Sequence, residues 1–222
     1  MTDPGSIDCV LLDLDGTLAD TAPDMATALN ELRVQRGLNP LAFEKIRPHV
    51  SGGSPALLRL GLSLEPDDPE YENIRQSFLE LYAEMICDDT QLFPGMPETL
   101  DALERHSISF GIVTNKPGWL TRPLLDKLEL TQRCACIVSG DCTVNRKPHP
   151  DPLLEASRQA KFDPVNCLFV GDDKRDIQAG RNAGMKTLAA SWGYIAPQDD
   201  LNEWQADGII SQPEDLVSWL DL

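Results

Sequence analysis

From Ile108 onward the chain alternates short apolar runs with amphipathic stretches, and that alternation leaves few folds open. The runs cover residues 108–113, 135–138, 167–170, 187–191 and 208–211. They are too short for helices and show little polar alternation, so they read as strands buried on both faces. Between them lie helical patterns, such as Leu120, Leu124, Leu125 and Leu128, and a last one with Leu216, Val217 and Leu220. One more apolar run, Cys9-Val10-Leu11-Leu12, stands near the start. Strands that alternate with helices in this way predict an α/β fold, a doubly wound parallel sheet.

The first run is far from the second. A strand–helix–strand crossover needs about thirty residues, and residues 13 to 108 span about three times that. The intervening residues are helical in pattern. Met25, Leu29 and Leu32 recur at spacings of four and three, with Thr21 or Asp20 as a cap and Pro23 in the first turn. A second helix runs through Tyr71, Ile74, Phe78, Leu81, Tyr82 and Met85. Between them, Ser51-Gly52-Gly53-Ser54-Pro55 reads as a loop. It either offers backbone donors to a ligand or is a flexible turn, since glycine suits both. The expected organisation is a core of residues 1–20 and 91–222, with residues 21–90 as a helical cap over the C-terminal ends of the strands, where a lid would sit.

Those strand ends carry the chemistry. Cys9–Leu12 runs into Asp13-Leu14-Asp15-Gly16-Thr17-Leu18. On a continuing strand the two carboxylates would share a face. Held that close they repel, and a divalent cation or a shared proton is the usual relief. An all-oxygen site suits Mg2+. The plainer alternative is a turn with an aspartate cap and a glycine. Three other groups stand at later strand ends: Thr114 after residues 108–113, Lys147 after 135–138, and Asp172 after 167–170. In a parallel sheet all these ends share one rim. A carboxylate nucleophile, a second carboxylate for proton transfer, a hydroxyl and an ammonium for phosphoryl oxygens, and a third carboxylate for a metal together suit phosphoryl transfer.

Composition narrows the partners. The 222 residues hold 36 Asp and Glu against 19 Lys and Arg, a net charge of −17, which argues against a nucleic-acid backbone as ligand. Small phosphates remain open, because a metal and a few donors capture them locally. Six cysteines form no CxxC pair and read as reduced thiols, with Cys134 and Cys136 expected on one face of a strand. His49, His106 and His149 share no motif and are not expected to be catalytic. No membrane-spanning run is present, and no basic leader with an apolar run follows Met1. A cytoplasmic protein, monomer or homodimer, is expected. The Lys147–Pro148 bond is expected to be cis, so that Lys147 can aim at the rim.

Taken together, these residues resemble the haloacid dehalogenase superfamily over nearly the whole chain. The four signatures are Asp13 to Leu18, Ile112-Val113-Thr114-Asn115, Lys147 in Arg146-Lys147-Pro148, and Gly171-Asp172-Asp173-Lys174-Arg175-Asp176. The resemblance implies a Rossmann-like core with a small helical cap. It implies that Asp13 attacks phosphorus, that Asp15 serves as acid and then base, and that Mg2+ is bound by Asp13, the carbonyl of Asp15, and Asp172. Thr114 and Lys147 would hold phosphate oxygens, helped by N–H groups near Gly16 and Asn115, with Asp173 and Asp176 as outer groups. Ser51, Gly52 and Gly53 would face the substrate, and Arg47 would either pair with a substrate carboxylate or lie solvated at a helix end.

The presence of Asp15 points to a phosphatase or phosphomutase rather than a dehalogenase. The run as a whole resembles phosphoglycolate phosphatases. Ile46-Arg47, Ser51 to Ser54, Leu92 to Met96, Thr114 to Pro117 and Trp192-Gly193-Tyr194-Ile195 look closer to the N-acetylmuramic acid 6-phosphate phosphatases of cell-wall recycling. The expected partner is a small phosphorylated metabolite. The alternatives are a β-phosphoglucomutase-like isomerase and, outside enzymes, a receiver-like phospho-switch, which the length and the paired carboxylates disfavour.

Overall fold

The computed structural model describes residues 6–196 and 198–222. Six parallel strands form the central sheet. They are β1 (Cys9–Leu12), β4 (Ser109–Val113), β5 (Ile137–Val138), β6 (Cys167–Gly171), β7 (Lys186–Ala190) and β8 (Gly208–Ile210). Their order is β5-β4-β1-β6-β7-β8, so β1 lies inside the sheet between β4 and β6. The register pairs Leu12 with Ile112 on one side and with Val170 on the other. That pairing brings three strand ends level.

Successive side chains of a strand point to opposite faces, and the core follows that rule. Val10, Leu12, Ile112 and Val170 join the cluster beneath α5 (Met96–Arg105), α6 (Gly118–Lys127) and α9 (Asp215–Trp219). Cys9, Leu11, Val113 and Phe169 join the opposite cluster, with α7 (Asp151–Ala160) and α8 (Lys174–Asn182). Helices therefore cover both faces, as the alternation of runs predicts. Each fully buried Leu or Phe contributes about 1.5–3 kcal/mol.

The insertion leaves and returns at one place. Strands β2 (Ala19–Asp20) and β3 (Gln91–Leu92) pair antiparallel, Ala19 with Leu92 and Asp20 with Gln91. Between them lie α1 (Ala22–Gln35), α2 (Phe43–Ile46), a 3-10 turn over Arg47–Gly52, α3 (Gly53–Leu62) and α4 (Tyr71–Glu84). Leu29, Leu57, Leu58, Ile74 and Phe78 are buried among these helices, in a cluster continuous with one face of the sheet.

Three local expectations are corrected. The loop expected at residues 51–55 is the end of a 3-10 turn and the start of α3: Gly53 turns the chain with φ +63°, Pro55 fits a first turn, and Leu57 and Leu58 bury one side. Thr21 makes no side-chain cap to α1; its hydroxyl goes to Asp15, and Asp20 Oδ1 accepts from Ala22 N at 3.3 Å. Cys134 and Cys136 precede β5 and pack into different clusters, so they do not share a face. All six cysteines are free thiols. Among the described residues no helix is long and apolar enough to cross a membrane.

Candidate active site

Strand β1 stops at Leu12, and its ladder runs one step further, with Asp13 N donating to Val170 O at 2.9 Å. Asp13 and Asp15 therefore lie beyond the strand and not along it, and their carboxylates take different partners. Asp13 Oδ1 lies 2.8 Å from Lys147 Nζ. Asp15 Oδ1 lies 3.0 Å from Lys116 Nζ and accepts from Thr21 Oγ1 at 2.6 Å. Both aspartates line one cavity of about 330 Å³ between the strand ends and the inserted helices.

Lys147 is built in from several directions. Its backbone N–H donates to Asn115 Oδ1, and Asn115 Nδ2 donates back to its carbonyl, both at 3.1 Å. The Lys147–Pro148 bond is cis, as the sequence suggests. Nζ donates to Val113 O at 2.9 Å, lies 2.7 Å from Asp176 Oδ1, and faces the Phe169 ring. Burial works against its charge, but Asp13 and Asp176 outweigh burial and hold its pKa above the ordinary lysine value. Thr114 directly follows β4, and its Oγ1 accepts from Lys116 N at 3.1 Å. Its own O–H has no protein acceptor among the described residues and can donate into the cavity.

Asp172, at the end of β6, is held on both oxygens. Oδ1 accepts from Thr17 Oγ1 at 3.1 Å; Oδ2 accepts from Tyr194 N and from Ser51 Oγ, each at 2.9 Å. Two glycines make room for it. Gly16 has φ +87°, and a Cβ there would sit 2.2 Å from Asp172 Oδ2; a Cβ on Gly193 would sit 2.2 Å from Asp172 Cβ. The N–H of Gly16 donates to Ala19 O at 3.0 Å, so its place is to pack under Asp172 and not to face the cavity. Asp173 caps α8 in a reciprocal pair with Asp176 and binds Arg175 through both oxygens. Arg175 in turn donates to Ser51 O at 2.7 Å, which ties the insertion to the core.

Ligand atoms of Asp13, Asp172 and Asp176 lie within 4.8 Å of one another. Burial, then Lys147 in opposition and Asp15 in support, leaves Asp13 harder to ionise than a free aspartate. Burial and the charge of Asp13 push Asp172 up to about 7. Burial likewise raises Asp176 well above the usual carboxylate range. Asp13 Oδ1, although close to Lys147, has no aligned hydrogen bond among the described residues. One ammonium facing three buried carboxylates leaves an excess of negative charge, and the donors are all oxygen. The set fits a hard divalent cation such as Mg2+. Asp15 contributes no carboxylate oxygen to this group.

Asp13, Asp15, Thr114, Asn115, Lys147, Asp173 and Asp176 meet at the cavity, as do Ser51, Gly52 and Gly53 from the insertion. Arg47 is half-buried and does not line the cavity: it pairs with Asp20 at 2.7 Å and lies 4.9 Å over the Tyr194 ring. Sequence reasoning gave no role to Lys116, which is 4% exposed, contacts Asp15 and donates to Tyr82 Oη at 3.2 Å. Its position two residues after Thr114, at the same rim, was the available signal. His49, His106 and His149 do not line the cavity.

Residues 10–190 match the family described as haloacid dehalogenase-like hydrolase. The chain is 42% identical over 212 residues to the N-acetylmuramic acid 6-phosphate phosphatase of Pseudomonas aeruginosa, covering 96% of this chain and 94% of that one. It is 43% identical over 207 residues to the phosphoglycolate phosphatase of Xanthomonas campestris, covering 93% of each. A crystal structure of a predicted phosphoglycolate phosphatase from Haemophilus somnus superposes with a TM-score of 0.85 at 25% identity, over 96% of this chain and 97% of that one. With the rim geometry and these similarities in agreement, the chain belongs to the haloacid dehalogenase-like hydrolases and is a phosphoric monoester hydrolase among them.

Proposed function

We propose that this hydrolase is an Mg2+-dependent phosphomonoesterase that passes through an aspartyl-phosphate on Asp13. Its substrate is N-acetylmuramic acid 6-phosphate in the first place and 2-phosphoglycolate in the second. The observation that carries the reading is a buried Asp13 beside Lys147, open with Asp15 to a single cavity. In the first step an Asp13 oxygen attacks phosphorus, the P–O bond to the leaving group breaks, and Asp15 gives that oxygen a proton. In the second, Asp15 takes a proton from water as the water oxygen attacks the acyl phosphate, which releases inorganic phosphate and frees Asp13. Lys116 and Thr21 hold Asp15 by Oδ1, which leaves Oδ2 for the proton. Lys147 and the Thr114 hydroxyl would hold phosphoryl oxygens. A bound Mg2+ would be held by Asp13, the Asp15 carbonyl and Asp172, with Asp176 beside them, and would supply positive charge to the phosphoryl group.

Residues 21–90 then act as a cap, with the backbone of Ser51, Gly52 and Gly53 turned to the substrate. The cavity favours the larger ester. Its volume of about 330 Å³ is that of a small-molecule site, and Met25, Val50, Leu79 and Leu120 give it an apolar wall. A two-carbon acid fills little of that space. The six free thiols and a phosphorylated metabolite as substrate suit the cytoplasm.

The test is phosphate release from a panel of phosphorylated metabolites that includes both candidates. Turnover should require Mg2+, stop with chelator, and fall at least about a thousandfold in Asp13→Asn. Full activity in Asp13→Asn would end the mechanism. An isomer formed from a hexose 1-phosphate without free phosphate would make the protein a mutase instead.

A further inference from the structure

Five cationic side chains line the cavity among the described residues, and they differ in what already holds them. Lys147 lies between Asp13 and Asp176. Lys116 is bound to Asp15 and Tyr82. Arg175 is engaged by Asp173 and by the Ser51 carbonyl. Arg146 is exposed at the core side and gives only Nε, to Gly140 O at 2.7 Å. Arg75, on α4, is the one that the inserted helices contribute.

The surroundings of Arg75 are those of a receptor. Nε donates to Ser54 Oγ at 3.2 Å and one N–H of Nη1 goes to Glu72 at 2.7 Å, while Nη2 has no protein partner among the described residues. Arg75 is 22% exposed, whereas Glu72 is 74% exposed, so water screens that pair and it holds the guanidinium only loosely. Ser54 is buried and accepts from Arg75, so its own O–H is free to donate. A guanidinium edge and a hydroxyl thus offer several donors at one spot, beside apolar Leu79, Val50 and Met25.

We propose that Arg75 and Ser54 form a carboxylate-binding subsite that selects phosphate esters whose leaving group is a carboxylic acid with apolar substituents. The inference rests on the phosphatase reading above and names the part of the substrate which that reading leaves open. A planar guanidinium matches a carboxylate with two parallel hydrogen bonds. Glu72 already offsets part of the charge of Arg75, so a monoanion fits better than a second phosphate dianion. The phosphate end is bound at the rim, and the acid end is bound by the helices.

The experiment compares N-acetylmuramate 6-phosphate with N-acetylglucosamine 6-phosphate, the same kind of sugar phosphate without the lactyl acid. The quantity read is the ratio of their kcat/KM values, with p-nitrophenyl phosphate turnover as a check on each preparation. The wild type should favour the acid. Arg75→Gln should lower the ratio about 10- to 100-fold, mainly through the KM of the acid. Arg146→Gln, the same charge change at the cavity's other open cation, should move it less than about threefold. An unchanged ratio in Arg75→Gln, or an equal fall in Arg146→Gln, overturns the proposal. A wild type that hydrolyses p-nitrophenyl phosphate but does not favour the acid overturns it too and leaves the phosphatase standing. Failure on every ester would remove the phosphatase reading itself.

Discussion

At the rim of the sheet, the Lys147 ammonium touches Val113 O, Asp13 and Asp176, and its side chain is 2% exposed. Across the cavity, Arg75 is 22% exposed, shares one contact with a solvated glutamate, and keeps Nη2 unbonded within the described protein. The rim is a network in which each charged group fixes its neighbours in largely buried surroundings, where electrostatic interactions are strong. The helical wall is built of apolar side chains such as Met25 and Leu79, small residues at 51–54, and one loosely held cation. Bond making needs groups that are already in place before substrate arrives. Recognition of a variable leaving group tolerates looser groups that water can serve until a ligand does. On the proposed reading, the two walls differ because their tasks differ.

If the rim is one unit, removing a single member should disable it. Lys147→Met leaves Asp13 and Asp176 buried without their counter-charge. It should cost about 3–5 kcal/mol in urea unfolding and at least about 100-fold in turnover. A variant of near-normal stability would show that the rim carboxylates are independent.

The joint between the walls comes next in size. Tyr194 Oη accepts from Thr21 N at 2.7 Å and from Ala22 N at 2.9 Å, and donates to Asp20 Oδ1 at 2.9 Å, while its backbone N–H holds Asp172. Burial, then the charge of Asp20, keeps the phenol protonated far above neutral pH. Tyr194→Phe should cost about 1–3 kcal/mol, because the buried Thr21 N–H loses its acceptor and Ala22 N–H keeps only the longer bond to Asp20 Oδ1. It should leave the acid-to-neutral ester ratio in place, since no atom of Tyr194 lines the cavity. A changed ratio would mean that the joint, and not the wall alone, sets selectivity.

The smallest effect concerns pH. An unfolded aspartate ionises near 3.8, whereas burial and the charge of Asp13 hold Asp172 at about 7. The folded protein therefore keeps a proton that the unfolded chain loses between those values, and stability falls as pH rises from about 4 to about 7. In chelator, the melting temperature should be about 5 °C lower at pH 8 than at pH 5, and saturating Mg2+ should narrow the gap. Equal melting temperatures in chelator would show that the rim carries no excess of negative charge.

Much of the rim was legible in the sequence because parallel strands gather their ends. Once residues 9–12, 108–113 and 167–170 are read as neighbouring strands, Asp13, Thr114 and Asp172 must converge. What was not legible depends on contacts between the two walls. Arg47 looks like a solvated helix end until Asp20 and Tyr194 come from opposite ends of the chain to meet it. The Ser51 hydroxyl belongs to Asp172, 121 positions away, and no local pattern announces such a bond. The helix at Gly53–Leu62 was hidden by the glycines at its start, where Gly53 keeps φ +63°, while Leu57 and Leu58 further on find a surface to cover. Lys116 is different: its place beside Thr114 was visible, but its partner Tyr82 lies on a helix that only folding brings near.

The paired β2 and β3 have a consequence for how such a protein can change. Departure at Asp20 and re-entry at Gln91 are hydrogen-bonded neighbours, so the segment between them is clipped to the body at its base like an exchangeable head. Lengthening, trimming or grafting that head need not disturb the order of the six strands. New specificities can then be tried out on an old reaction centre, one head at a time.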